Sequence, residues 1–214
     1  APESWDELIA VLDKMKANGI SPIGHGGQPW QDATIFDAVV LAEGTDFYKA
    51  SMVDLDPAAL GGDKMVAVFD KMAKLRSYVD DNFSGRDWNL ASAMVIEGKA
   101  GMQFMGDWAK GEFIAANLTP GKEYGCTVVG QGYMMGGDVF AFAKLKDPGE
   151  IAAQKLLAKT LFDPETQIKF NAKKGSIPVR LDVDGSSLDI CAQQGMKLVA
   201  DPARQVADIN LIAS

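Results

Sequence analysis

The chain has 214 residues, a hydrophobic fraction of 47% and a formal net charge of −8. This length allows one large domain or two small ones with a substantial core. The acidic balance argues against nucleic acid as a partner, because phosphate binding needs a basic surface. No apolar run approaches the roughly 20 residues that span a bilayer, and the opening APES lacks the basic and apolar regions of an export signal.

The first predicted element is a helix near the start of the chain. Ser4 and Glu7 have the spacing of a capping box, and apolar side chains then recur on one helical face as far as Met15. A short strand is predicted at residues 20–23.

A glycine-rich stretch, GHGGQPWQ, follows this strand at residues 24–31. Its three glycines allow the backbone to approach a neighbouring segment closely, while His25, Gln28 and Trp30 supply polar groups and an aromatic face. Most such loops are solvated turns without a ligand. His25 is the only histidine, so a histidine-based metal site or catalytic triad has little support.

Helical spacing predicts further helices over residues 32–43, over 47–53 and from Asp63, where the aspartate is expected to be the cap. The polar stretch that follows contains Trp88.

Residues 91–113 predict a helix that ends at Gly98, a buried strand and a second helix that begins near Trp108, with Asp107 as its cap. Open α/β sheets bind ligands beyond the carboxyl ends of their strands. The indole of Trp108 is therefore expected either at a ligand site or, as the alternative, in the core.

The second half of the chain predicts two strands, over residues 124–129 and 133–143, and then helices from Asp147, from Asp163 and near 188–198. The two cysteines, Cys126 and Cys191, are compatible with two free buried thiols or with one disulfide in an exported protein.

Three runs, HGGQPWQD at residues 25–32, EGKAGMQFMGDWAKGEF at 97–113 and KGSIPVR at 174–180, resemble the solute-binding proteins of bacterial sugar ABC transporters. The closest likeness is to the glucose/mannose-binding branch. The resemblance implies an α/β fold of the periplasmic-binding-protein type II, similar to maltose-binding protein, with mainly one lobe plus a segment of the other. It also implies a periplasmic receptor, with no enzymatic activity, metal or cofactor, that delivers glucose, or alternatively mannose or galactose, to the membrane subunits of a transporter.

The same resemblance implies the residues that contact the sugar. Tryptophans stack on the sugar or border it, and polar side chains bind its hydroxyl groups. The implied residues are His25, Gln28, Trp30, Trp88, Trp108, Asp138 and Lys174. The family often has asparagine two residues before the position of Asp138, where this chain has Gly136. The resemblance also favours a disulfide between Cys126 and Cys191.

By this resemblance, residues 1–129 are a second-lobe α/β core, 130–178 a hinge crossing and first-lobe segment, and 179–214 a return to the second lobe. The family's N-terminal first-lobe portion and its C-terminal helices are absent, so the sequence is expected to be an incomplete fragment. A homodimer, a domain swap or a partner chain is then expected to bury its apolar first-lobe segment.

Two other functions compete with sugar reception. One is a protein-interaction module without a ligand. The other is a glycosidase with Asp87 and Asp107 as its two carboxylates, although each precedes a tryptophan and has the position of a helix cap.

Overall fold

The computed structural model describes residues 1–130 and 132–209. Two short parallel strand pairs lie among its helices. Strand β1, Ser21–Ile23, pairs with β2, Ala100–Met102, and a single bridge from Ile23 to Val79 extends this sheet. Strand β3, Tyr133–Met135, pairs with β4, Gln205–Ala207.

Ten α-helices lie within the described residues. They are α1 Trp5–Ala17, α2 Pro29–Ala42, α3 Thr45–Tyr48, α4 Pro57–Leu60, α5 Asp63–Arg76, α6 Trp88–Ile96, α7 Lys110–Ala115, α8 Pro148–Leu161, α9 Pro164–Lys174 and α10 Ile190–Val199. A π-helical turn follows α3, and 3-10 turns lie at Asp107–Ala109, Gly185–Ser187 and Pro202–Arg204. Among the helices that the structure describes, none combines the length and apolar character that a membrane span requires.

The main core lies where α1, α2 and α5 pack against the first sheet. Helices α1 and α5 are amphipathic, so one face of each can be removed from water, whereas α2 is apolar around most of its surface. The most deeply buried of these side chains are Leu8, Leu12, Ile23, Val39, Val40 and Val68. The predicted apolar face of the first helix is confirmed at its two leucines.

The starts of the helices differ in detail from the predictions. The Ser4 hydroxyl accepts a hydrogen bond from the Glu7 amide at 3.3 Å. The Glu7 carboxylate, however, accepts from the amide of Glu3 at 2.8 Å rather than from that of Ser4, so the capping box is only half formed. The prediction that Asp63 caps α5 is wrong, because Gly62 occupies the cap and Asp63 lies in the first turn.

The predicted strands are the least accurate part of the sequence analysis. Residues 124–129 form no strand, and the strand predicted over 133–143 ends at Met135. A strand needs a neighbour for its backbone hydrogen bonds, and residues 136–146 have no strand partner in the described part of the chain. Their side chains are also open to water, as at Val139 and Phe140, which are 88% and 57% exposed.

Candidate functional site

A cavity of about 450 Å³ lies where the C-terminal end of α9 approaches α7 and the start of α6. It is lined by Trp88, Trp108, Gly111, Glu112, Asp138, Lys173 and Lys174. Four of the seven predicted sugar-contacting residues therefore border one space, although they come from four separate segments. These are the two later tryptophans, the aspartate and the lysine of KGSIPVR.

The positions of Trp88 and Trp108 at the cavity are set by the elements in which their backbones lie. Trp108 lies in the 3-10 turn before α7, and its side chain is 36% exposed. Trp88 is the first residue of α6, and its carbonyl accepts hydrogen bonds from Gln103 Nε2 at 3.0 Å and Ser92 Oγ at 3.2 Å. Gln103 follows β2, so this pair of bonds ties the start of α6 to the first sheet. Ser92 and Gln103 were not predicted as functional residues from the sequence.

Charged side chains of both signs border the cavity. Lys174 Nζ lies 2.5 Å from Asp138 Oδ2, and the aspartate side chain is 75% exposed. Ion pairs this exposed contribute little to stability, so both groups remain available for hydrogen bonds to a ligand. Glu112 and Lys173 add one more charge of each sign. Glu112 and Lys173 were not predicted as site residues, although each lies within four residues of one that was.

Gln28 and Trp30 do not line the cavity but form a network beside it. Gln28 Nε2 donates to Asp87 Oδ1 at 2.6 Å, and its Oε1 accepts from the Trp30 indole at 2.9 Å and from Gln31 Nε2 at 3.1 Å. Both ends of the Gln28 amide are therefore engaged. Because Asp87 directly precedes Trp88, the hydrogen bond from Gln28 holds the residue next to this cavity-lining tryptophan.

His25 lies inside the protein rather than at the cavity. It is 5% exposed, its Nε2 lies 2.8 Å from Asp32 Oδ1, and its ring stacks on Phe83 with 5.8 Å between centroids. Its neighbour Gly27 approaches the backbone of residues 83–85 so closely that a Cβ would overlap it. Gly27 therefore allows the close backbone approach that was predicted for the glycines of this loop.

Asp107 is not a helix cap, contrary to the sequence analysis. Gly106 occupies the cap of the 3-10 turn, and no side chain caps it. Burial raises the pKa of the Asp107 carboxyl, while the nearby Ser176 and the ammonium of Lys110 offset part of the rise. Neither Asp107 nor Asp87 lines the cavity, so the two carboxylates do not face a common ligand space as a glycosidase would require.

Helix α7, which follows Trp108, is joined to α10 by a buried ion pair, and a disulfide joins α10 to the segment after α7. Lys110 Nζ lies 3.0 and 2.9 Å from the two carboxylate oxygens of Asp189, with side chains 8% and 22% exposed. Asp189 also caps α10, where it accepts from the amide of Cys191 at 2.9 Å. The structure joins Cys191 to Cys126, with 5.9 Å between their Cα atoms.

Lys174 reaches the cavity because α9 ends in close contact with α7. Gly175 terminates α9 with φ at +88°, a left-handed conformation that favours glycine. A Cβ on Gly175 would lie 2.8 Å from the backbone nitrogen of Gly111. The glycine of KGSIPVR is therefore required both by its backbone angle and by the space.

Comparison with known proteins places the chain in a family of receptors. A family model described as bacterial extracellular solute-binding protein matches residues 1–192. A protein named probable sugar-binding periplasmic protein from Rhizobium meliloti (strain 1021) is 58% identical over 203 residues, which are 94% of this chain and 49% of that protein. A protein of the same name from Brucella suis biovar 1 (strain 1330) is also 58% identical, over 94% of this chain and 47% of that protein.

A more distant relative is an uncharacterized ABC transporter extracellular-binding protein from Pyrococcus horikoshii. It is 32% identical over 187 residues, which are 86% of this chain and 42% of that protein. The chain thus spans about half the length of the curated relatives it matches.

Two solved structures share the fold. A chitin oligosaccharide binding protein superposes with a TM-score of 0.76 at 19% identity, over 98% of this chain and 55% of that one. A protein from a study of xylan utilization by a thermophilic bacterium superposes with a TM-score of 0.67 at 21% identity, over 98% and 57% of the two chains. These similarities confirm the predicted solute-binding α/β fold.

Proposed function

Since the chain belongs to the bacterial extracellular solute-binding proteins, we propose that it forms the sugar-binding part of a periplasmic receptor. The receptor delivers a monosaccharide, with glucose as the first candidate, to the membrane subunits of an ABC transporter. The observation that carries this proposal is the cavity bordered by Trp88, Trp108, Asp138 and Lys174. The names of the relatives support the sugar, the periplasm and the transporter in kind.

The lining of the cavity has the chemistry that a sugar requires. The flat indoles of Trp88 and Trp108 can cover the apolar C–H faces of a pyranose. Asp138 accepts hydrogen bonds and Lys174 donates them, so together they suit hydroxyl groups, which do both. The lining holds two acidic and two basic side chains, and this balance favours a ligand without net charge.

Reception rather than catalysis is the function that the family supports. Solute-binding proteins are not enzymes, and the relatives are named for binding. Asp87, one of the two carboxylates considered for glycoside hydrolysis, is held by Gln28 at 2.6 Å.

The sugar proposal is tested by a glucose titration followed through the indole N–H signals of the four tryptophans. The cavity is open to solvent beside Asp138, which is 75% exposed on its side chain, so a ligand is contacted from one side. We therefore expect a roughly millimolar dissociation constant, with shifts at Trp88 and Trp108 and an unmoved signal from Trp5. Micromolar binding would show that the site is more complete than the open cavity indicates.

Trp108→Ala is expected to weaken this binding at least about 30-fold, since removal of a central aromatic contact typically costs about 2 kcal/mol or more. Because Trp108 is 36% exposed, the melting temperature should fall less than after truncation of a fully buried tryptophan. A core tryptophan would instead lose about 3–5 kcal/mol of stability on the same change. A variant that binds glucose normally but melts far lower would contradict the role of Trp108 as a sugar contact.

We also propose the lobe division at residues 1–129, 130–178 and 179–214. Helix α8 supports it, because none of its 14 residues is buried and Leu156 and Leu157 are 65% and 50% exposed. An apolar surface of this kind is typical of an interface. In solution a homodimer or a domain swap between two copies of the chain would cover it.

This division predicts the hydrogen exchange of residues 137–146. In dilute, monomeric protein their amides should exchange within seconds, since they have no strand partner among residues 1–130 and 132–209, while the core of α2 stays protected. At high concentration, protection should rise together with the dimer signal in native mass spectrometry. Strong protection in a monomeric sample would contradict both the division and the dimer.

A further inference from the structure

The six-membered ring of the Trp108 indole lies directly against Gly106. A Cβ built on Gly106 would overlap three atoms of the six-membered ring of Trp108, namely Cζ3, Cη2 and Cε3. Real side chains do not tolerate such overlap, so the present position of the indole requires that residue 106 has no side chain. Neither the motif at residues 97–113 nor the helix prediction assigned this glycine a role.

The backbone of Gly106 does not itself need glycine. Its φ of −65° and ψ of 165° lie in the extended region, which all residues adopt. Alanine would therefore fit the chain path at this position. The atoms nearest to its methyl group would be those of the indole, which has two rotatable side-chain angles and can move.

No hydrogen bond among the described residues orients the Trp108 indole. The N–H of Trp30 is held by the Gln28 side chain at 2.9 Å. Within the described residues, the N–H of Trp108 makes no comparable hydrogen bond. The ring must therefore be oriented by packing. Gly106 is one of the residues against which it packs, because a side-chain atom added to Gly106 would overlap the ring.

We propose that Gly106 is a positioning residue that sets the orientation of the Trp108 indole at the cavity. Its link to ligand affinity rests on the proposed function, in which that indole contacts the sugar. Gly106 thus acts through Trp108 and need not touch the ligand. Any substitution at residue 106 is expected to turn the ring away from its present position.

The test compares Gly106→Ala with Gly125→Ala, a matched control at which a Cβ would meet nothing within 4 Å. The Trp108 indole signal is assigned by its loss in Trp108→Phe. We expect Gly106→Ala to shift the Trp108 signal in the absence of sugar, to leave the Trp5 signal in place, and to weaken glucose binding at least tenfold. Gly125→Ala should change none of these. An unmoved Trp108 signal in Gly106→Ala would overturn the proposal.

A double variant keeps the test decisive if Gly106→Ala folds poorly. When Trp108 is already alanine, the three ring atoms that the methyl group at residue 106 would overlap are gone, so Gly106→Ala should then lower the melting temperature much less than it does in the presence of the indole. If it lowers the melting temperature equally with and without the indole, the proposal is wrong. If the Trp108 signal shifts in Gly106→Ala but the unsubstituted protein itself shows no glucose binding, the positioning role is supported and the sugar function is contradicted.

Discussion

Replacement of both Cys126 and Cys191 by serine is expected to lower the free energy of unfolding by about 4 kcal/mol. The bridge joins residues 65 apart in sequence, and a cross-link across a loop of this length removes much of the entropy of the unfolded chain. For a domain of this size the loss corresponds to a fall in melting temperature of roughly 8–16 °C. Thermal melts with and without a thiol reductant measure it.

The reductant supplies the control for this prediction. It should lower the melting temperature of the unsubstituted protein and leave that of the double serine variant unchanged. Mass spectrometry of unreduced protein prepared under oxidising conditions should show a mass lower than that of the dithiol by two hydrogen atoms. Two free thiols in such material would count against the bridge and against the periplasmic assignment.

Lys110→Met is expected to destabilise the protein by about 3 kcal/mol. The lysine is 8% exposed and contacts both oxygens of Asp189, so its removal leaves a largely buried carboxylate without its counter-charge, a change that typically costs 3–5 kcal/mol. Lys169→Met is the matched control, because its ion pair with Glu165 is 74% exposed on both side chains. Such a pair contributes less than about 1 kcal/mol. Denaturant unfolding of the two variants measures the difference.

A second substitution separates the charge from the packing. Adding Asp189→Asn to Lys110→Met removes the uncompensated charge and leaves an amide oxygen that can still cap α10. The double variant should therefore recover part of the lost stability. If Lys110→Met destabilises no more than Lys169→Met, the ion pair does not hold α7 to α10 as the structure indicates.

The helices were predictable from the sequence because the signals that define them are local. Residues such as Leu8 and Leu12, four apart, are both buried in α1 and share a face in any helix. The helices predicted from Asp147 and Asp163 begin directly after these residues, and the two side chains cap them. The predicted starts at Asp63 and Asp107 were each one residue too late for the cap. Gly62 and Gly106 occupy the cap positions, and the aspartate that follows each of them lies in the first turn.

The strands were not predictable to the same degree, since a strand depends on a partner far along the chain. Strand β1 lies beside β2, about 80 residues later, and β3 lies beside β4, about 70 residues later. Residues 136–143 have the apolar composition of a strand but no such partner within the described residues. Composition alone therefore predicted more β-structure than the chain forms.

The sequence by itself determined the family, through the runs at residues 25–32, 97–113 and 174–180, and the residue types suited to a sugar. Only the tertiary structure decided which of these residues meet. It brought Trp88, Trp108, Asp138 and Lys174 to one cavity, while His25 was buried and the Gln28 amide was engaged by Asp87 and Trp30. The physical reason is that chemical suitability belongs to a single side chain. Proximity instead depends on the packing of distant segments, here α7, α9 and the start of α6.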